Sequence, residues 1–122
     1  MAYILIADDD QNYAEMAREF LASKGHCVEI VKDVFQFAAI VAKRLPSAAI
    51  IDMQMPGGGG PAAVRVLRES SPVVIIPAII CSGMPVEQAR KWFPAAKRLD
   101  FLVKPLDLDA LSLTLASLLA QT

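Results

Sequence analysis

The sequence has few of the residues that mark most specialised binding chains. Lysine and arginine total 12 against 13 acidic residues, with no basic block, and aromatics make up only 7%. Direct nucleic-acid binding, which rests on clustered basic residues, is therefore excluded. Cysteine occurs twice, at Cys27 and Cys81, without metal-ligand spacing. Both lie in apolar runs and read as buried free thiols of a reducing compartment. The N-terminus has no basic stretch ahead of its few apolar residues, so no signal peptide is expected and the location read from the sequence is cytoplasmic. The longest apolar run, Pro72 to Cys81, is too short to span a bilayer. The glycine run from Gly57 to Gly60 lacks the Gly-Lys-Ser/Thr of a P-loop. It reads as a mobile loop.

What is present is a series of apolar strands separated by amphipathic helices. At 122 residues the chain is expected to form one domain, 1–122. Hydrophobic residues reach 55%, which suits a parallel sheet covered on both faces. Tyr3 to Ala7 is a strand. From Asn12 to Lys24 the apolar positions Tyr13, Met16, Ala17, Phe20 and Leu21 have helical spacing, and Gly25 suits the helix end. Cys27 to Val31 is a second strand. Asp33 caps a second helix with Phe37, Ile40 and Val41 inward. Ala48 to Asp52 is the third strand. Pro61 suits the first position of a third helix running to about Glu69. Pro77 cannot donate to a ladder, so the fourth strand starts at Ala78 and runs to Cys81; the sequence leaves Val73 to Ile76 unassigned. Pro85 opens a fourth helix to about Phe93. Asp100 to Val103 is the fifth strand. Asp107 caps a last helix to Ala120 with Leu108, Leu111, Leu115 and Leu118 inward.

Five βα units with short connections build a doubly wound parallel α/β sheet with right-handed crossovers. Ligands bind such sheets beyond the carboxyl ends of the strands. The polar residues fall there: Asp8 and Asp9 after strand one, Asp52 after strand three, Ser82 after strand four, Lys104 after strand five. Each has a plainer role open to it. Asp8 to Asp10 could cap the first helix, as is expected for Asp10 itself. Asp52 could be a turn residue, Ser82 a turn hydroxyl, Lys104 a solvated loop residue, and Phe101 plain core. His26 reads as a surface-turn histidine.

On these residues the chain resembles the receiver domain of two-component response regulators over nearly its whole length. The matching features are Asp8-Asp9, Asp52 with Met55-Pro56 and Gly60, Ser82, Phe101 and Lys104-Pro105. Asp9 precedes Asp52 by 43 residues, Ser82 follows Asp52 by 30, and Lys104 follows Ser82 by 22. The resemblance implies a flavodoxin-like (βα)5 fold with strand order 2-1-3-4-5. It implies Asp52 as phosphoacceptor, and Lys104 and Ser82 as partners of the phosphoryl oxygens. It implies Mg²⁺ bound by Asp9, directly or with Asp8 through water, by Asp52, and by the backbone carbonyl of Gln54. Phe101 would be an aromatic switch coupled to Ser82. The resemblance also implies that Gln54 and Met84, two residues beyond Asp52 and Ser82, stand where the family tunes the lifetime of the acyl phosphate.

The chemistry also follows from charge. Two carboxylates about 5 Å apart repel by roughly 3 kcal/mol at an effective dielectric near 20, and a hard divalent cation such as Mg²⁺ relieves this. The implied donor is a sensor histidine kinase or phosphotransfer protein, since His26 is poorly suited. The implied recipient is a downstream protein or an output domain. A partner or dimer face is expected on the fourth helix, fifth strand and fifth helix, around Trp92, Phe93 and Leu113; the plainer reading packs these residues in the core. The chain would catalyse its own phosphorylation and dephosphorylation without being a turnover enzyme. Two rivals remain: a pseudo-receiver that only binds partners, and a haloacid-dehalogenase-type phosphohydrolase suggested by Asp8-x-Asp10. The second usually needs a longer chain with more late acids.

Overall fold

The computed structural model describes residues 2–93 and 97–121. Its elements alternate strictly: β1 (Tyr3–Ala7), α1 (Gln11–Ser23), β2 (Cys27–Val31), α2 (Val34–Lys43), β3 (Ala48–Asp52), α3 (Gly59–Ser70), β4 (Ala78–Ser82), α4 (Val86–Arg90), β5 (Leu99–Val103) and α5 (Leu108–Ala120). The strands form one parallel sheet in the order β2-β1-β3-β4-β5. This is the flavodoxin-like order that the resemblance implies.

The strand period of two sorts the apolar side chains between two cores. Leu5, Ile51 and Ile80 face Phe37 and Val41 of α2 and Leu67 of α3. Ile4, Ile50 and Ile79 face Leu21 of α1 and Leu111 and Leu115 of α5. The central strands β1, β3 and β4 are buried at every position, which accounts for the unbroken apolar runs in the sequence. Fully burying each Ile or Leu stabilises the fold by about 1.5–3 kcal/mol.

Several local expectations change. The buried stripe of α1 is Ala14, Ala17 and Leu21, while Met16 is 56% exposed. Two small alanines let the helix approach the sheet, so Tyr13 and Phe20 flank the contact half-buried. Helix α3 starts at Gly59, before Pro61, with Gly58 in the N-cap position. Helix α4 ends at Arg90, short of Phe93, and no side chain caps its first turn. Strand β5 begins one residue early, at Leu99, and β4 includes Ser82. Cys81 is buried as expected, but Cys27 is exposed, because it opens β2 on the edge of the sheet. His26 is half-buried in its turn, and burial holds its imidazole below the usual range.

The unassigned segment before β4 has no ladder. Its last two carbonyls are met by guanidinium groups instead: Arg98 donates to Ile75 O at 2.7 Å and Arg68 donates to Ile76 O at 2.6 Å. Val73 and Val74 remain exposed.

Candidate functional site

All five strands run the same way, so their carboxyl ends open on one edge. Asp8 follows β1 directly and is buried, with its N–H donating to Val31 O at 3.0 Å. Its Oδ1 accepts from the Asp10 N–H at 2.9 Å. Asp10 in turn caps α1, accepting from the Tyr13 N–H at 3.2 Å. The capping role expected for Asp10 is what the structure shows. Asp9, between them, is exposed toward a cleft of about 750 Å³ that Asp52, Gln54, Ser82, Met84 and Lys104 also line.

Asp52 is the last residue of β3, and 9% of it is exposed. The next residue is locked, since the Met53 N–H donates to Cys81 O at 2.8 Å. Ser82 ends β4; its hydroxyl accepts from the Met84 N–H at 3.0 Å and its carbonyl accepts from the Lys104 N–H at 2.8 Å. The Lys104–Pro105 peptide is cis. The Lys104 Nζ lies 3.1 Å from Asp8 Oδ2 and 3.4 Å from Asp52 Oδ1. The structure thus brings together Asp8, Asp9, Asp52, Ser82 and Lys104 from four strand ends. Gln54 lines the same cleft, with its N–H turned toward Asp52 Oδ1 at 3.4 Å.

Electrostatically the site is short of positive charge. The carboxylates of Asp8, Asp9 and Asp52 each place an oxygen within 4.8 Å of the others, against one ammonium. Burial pushes the Asp52 carboxyl up to about 6, and the Asp8 charge adds to it despite Lys104. Burial alone would lower Lys104, yet the hydrogen bond and charge of Asp8, with the charge of Asp52, raise it above the usual range. A three-carboxylate, all-oxygen donor set with a deficit of positive charge fits a hard divalent cation.

The glycines behind Asp52 do more than loosen a loop. Gly57, Gly58 and Gly59 all have positive φ. A Cβ on Gly59 would sit 2.3 Å from Met53 O, and one on Gly60 would sit 3.3 Å from Met53 Cα. The Gly60 N–H also donates to Met53 O at 2.9 Å. The start of α3 therefore packs directly on the backbone that carries Asp52, which only residues without side chains permit.

Phe101 stays outside the cleft. It is half-buried, with its ring edge-on to Phe93 at 5.6 Å and the Arg90 guanidinium 4.8 Å from its centroid. Phe93 takes the core position, while Trp92 is 62% and Leu113 is 73% exposed. Sequence reading placed Tyr13 in the core stripe of α1 and overlooked its place at the site: the Lys104 Nζ lies 5.1 Å from its ring centroid. No spacing rule connects the first turn of α1 to the end of β5.

Known proteins resemble this chain in the same terms. The family model for the response regulator receiver domain matches residues 4–116. Protein PilH of Pseudomonas aeruginosa is 30% identical over 98% of this chain and 99% of its own length. The response regulator MprA of Mycobacterium sp. (strain KMS) is 29% identical over 98% of this chain, which spans only 51% of that protein. The receiver domain of the sensor histidine kinase PA1611 from Pseudomonas aeruginosa, solved with a magnesium ion in its active site cleft, shares the fold. It superposes with a TM-score of 0.86 over 98% of both chains at 22% identity. A match across nearly the whole chain, on a sheet of the same strand order, settles the relationship: the chain belongs to the response regulator receiver domain family.

Proposed function

We propose that this chain accepts a phosphoryl group on Asp52 and passes the event on as a change of conformation. The observation that carries the reading is the placement of Asp52: a buried carboxylate at a strand end, facing an open cleft, 3.4 Å from the Lys104 ammonium. The donor is a phosphohistidine of a sensor histidine kinase or phosphotransfer protein. A carboxylate oxygen of Asp52 bonds to phosphorus as the phosphorus–nitrogen bond to the donor imidazole breaks. The electron pair leaves with the imidazole nitrogen, and an acyl phosphate remains.

Lys104 exchanges its contact with Asp52 for one with a phosphoryl oxygen while keeping Asp8. The Ser82 hydroxyl, which now accepts from the Met84 N–H, turns its proton to another phosphoryl oxygen. Asp9, Asp52 and the backbone carbonyl of Gln54 would hold Mg²⁺, with Asp8 behind them. When bound, the ion neutralises the charge of the crowded carboxylates and the incoming group. The other residues position the reactants.

Replacing the single charge of the Asp52 carboxylate by the roughly two negative charges and three oxygens of the acyl phosphate biases a two-state element made of the loop after Ser82, α4 and Phe101. The exposed residues Trp92, Val103 and Leu113 then supply the face for a dimer mate, a downstream protein or an output domain. No helix among the described residues is long and apolar enough to cross a membrane; a cytoplasmic location fits a chain that meets its kinase there. The test is incubation with Mg²⁺ and labelled acetyl phosphate. Wild-type chain should take up label, and Asp52→Asn should take up none. Label surviving in Asp52→Asn removes Asp52 as the acceptor, and an unlabelled wild type favours a pseudo-receiver.

A further inference from the structure

The ring of Tyr13 lies beside the Lys104 ammonium, and the proposed chemistry leaves it unused. Tyr13 lies in the first turn of α1, and its N–H is tied to the capping carboxylate of Asp10 at 3.2 Å. That cap fixes the ring's starting point one turn beyond Asp8 and Asp9. The ring then meets the Lys104 Nζ at 5.1 Å from its centroid, within the range where a cation is drawn to an aromatic face. The ammonium also contacts Asp8 at 3.1 Å and Asp52 at 3.4 Å. Lys104 is thus held between two carboxylates and one ring.

The phenol itself is neutral. Burial raises its ionisation above the ordinary range, and Cys81, Asp8, Asp10 and Asp52 add to the effect. Its hydroxyl is buried and finds no hydrogen-bond partner among the described residues. A buried hydroxyl without a partner is a cost that plain packing would avoid with Leu or Phe. What the side chain visibly contributes is its ring face.

We propose that Tyr13 is a positioning residue for phosphoryl transfer: its ring holds the Lys104 ammonium over the cleft while that ammonium exchanges Asp52 for the incoming phosphoryl group. The inference rests on the phosphotransfer reading above. It adds a requirement that reading does not contain. A lysine carries its charge on a flexible four-carbon stem, and phosphorylation removes one of its two carboxylate contacts. Asp8 alone fixes only one direction. The ring supplies a second restraint that does not change when Asp52 becomes an acyl phosphate. Losing it lets the ammonium leave the reacting oxygen, which slows the transfer and leaves the carboxylate cluster intact.

The test compares wild type, Tyr13→Phe and Tyr13→Leu in the full chain. Initial labelling by acetyl phosphate with saturating Mg²⁺ is measured alongside Mg²⁺ affinity from amide chemical-shift titration. Tyr13→Leu should label about two- to tenfold more slowly. Tyr13→Phe, which keeps the ring, should stay within about twofold of wild type. Mg²⁺ affinity should not change. A readout independent of activity is the Lys104 ε-methylene resonance: the ring should shift it upfield in wild type and Tyr13→Phe, and the shift should vanish in Tyr13→Leu. If Tyr13→Leu does not fold, Tyr13→Met takes its place in every comparison. A Leu or Met variant that labels at the wild-type rate overturns the inference, as does a Phe variant equally slow. So does a loss that persists in full in a Lys104→Met background, where no ammonium remains to be positioned. Each of these outcomes leaves Asp52 labelling in place. Absence of wild-type labelling, or labelling of Asp52→Asn, overturns the phosphotransfer reading and the role of Tyr13 with it.

Discussion

The ammonium of Lys104 donates to the carboxylate of Asp8 at 3.1 Å, joining the end of the last strand to the end of the first. Asp8 is buried and Lys104 half-buried, so the pair is only partly screened by solvent. Its closure ties β5 to β1 across the intervening strands β3 and β4.

Removing the cation should expose what it offsets. In Lys104→Met the stem is kept and the charge is lost, leaving Asp8 buried beside Asp52 with no counter-charge. Breaking a fully buried pair costs about 3–5 kcal/mol, and partial exposure reduces this to roughly 1–3 kcal/mol. Thermal unfolding without Mg²⁺ should show a Tm lower by roughly 3–10 °C, and added Mg²⁺ should recover part of the loss. The double variant Asp8→Asn/Lys104→Met should lose less than the two single changes added together. Strict additivity would mean that the pair does not act as a unit.

The raised ionisation of Asp52 makes a prediction with a definite sign. Its carboxyl titrates near 6 in the fold against an ordinary value of 3.8, so between those limits the folded state binds more protons than the unfolded one. Stability from this group therefore falls as pH rises from about 4 through about 6. Asp52→Asn removes the ionisation, so in metal-free buffer it should be more stable than wild type at pH 7.5. The difference should be about 1–2 kcal/mol after screening. The gap should close by pH 4, and saturating Mg²⁺ should narrow it at pH 7.5. Denaturant unfolding across this range measures it. A gap that widens on acidification would contradict the assigned direction.

How much of this was legible beforehand depended on whether the signal was local. Ala48 to Asp52 could be read because a central parallel strand is apolar at every position and its first acid marks the edge. Asp107 and Asp33 could be read as caps, because capping acts over three residues. Helical spacing draws the stripe of α1 through Met16 because it alone cannot choose between a methionine and the nearby Ala14. The choice came from how closely the helix packs on the sheet. The sequence buries Cys27 because an edge strand and a central one can carry the same apolar run, whereas it is exposed at the sheet's edge. The glycines showed a lack of side chains but not that Met53 O occupies the space. Contacts such as Lys104 with Tyr13 exist only once the strand order is laid out.

The glycine contact gives a comparison with an internal control. Gly25 and Gly59 both have positive φ, at 93° and 67°. A Cβ on Gly25 would meet nothing within 4 Å, whereas one on Gly59 would lie 2.3 Å from Met53 O. Gly25→Ala should therefore cost only the backbone strain, about 1–2 kcal/mol. Gly59→Ala must in addition push back the backbone between Asp52 and Gln54. It should lose clearly more stability and should also bind Mg²⁺ more weakly, whereas Gly25→Ala binds it normally. Equal losses and equal Mg²⁺ affinity in the two variants would show that the β3–α3 connection yields without disturbing Asp52.

The exposed apolar residues on the last third of the chain bear on where the signal goes. Trp92, Val103 and Leu113 are 62%, 45% and 73% exposed, on the turn after α4, on β5 and on α5. A stable interface needs about 1,200 Å² or more buried in total, and a tryptophan supplies up to about 250 Å² of surface to bury. Trp92 is also the only tryptophan, so its emission reports this face alone. Beryllofluoride with Mg²⁺, mimicking the phosphoryl group on Asp52, should raise the sedimenting mass or strengthen partner binding. Trp92 emission should shift to the blue with the same dose dependence. Leu113→Glu should abolish both responses, while thermal stability stays within about 0.5 kcal/mol of wild type because the side chain is mostly exposed in the free chain. No change in mass, in partner binding or in Trp92 emission would place the output surface elsewhere.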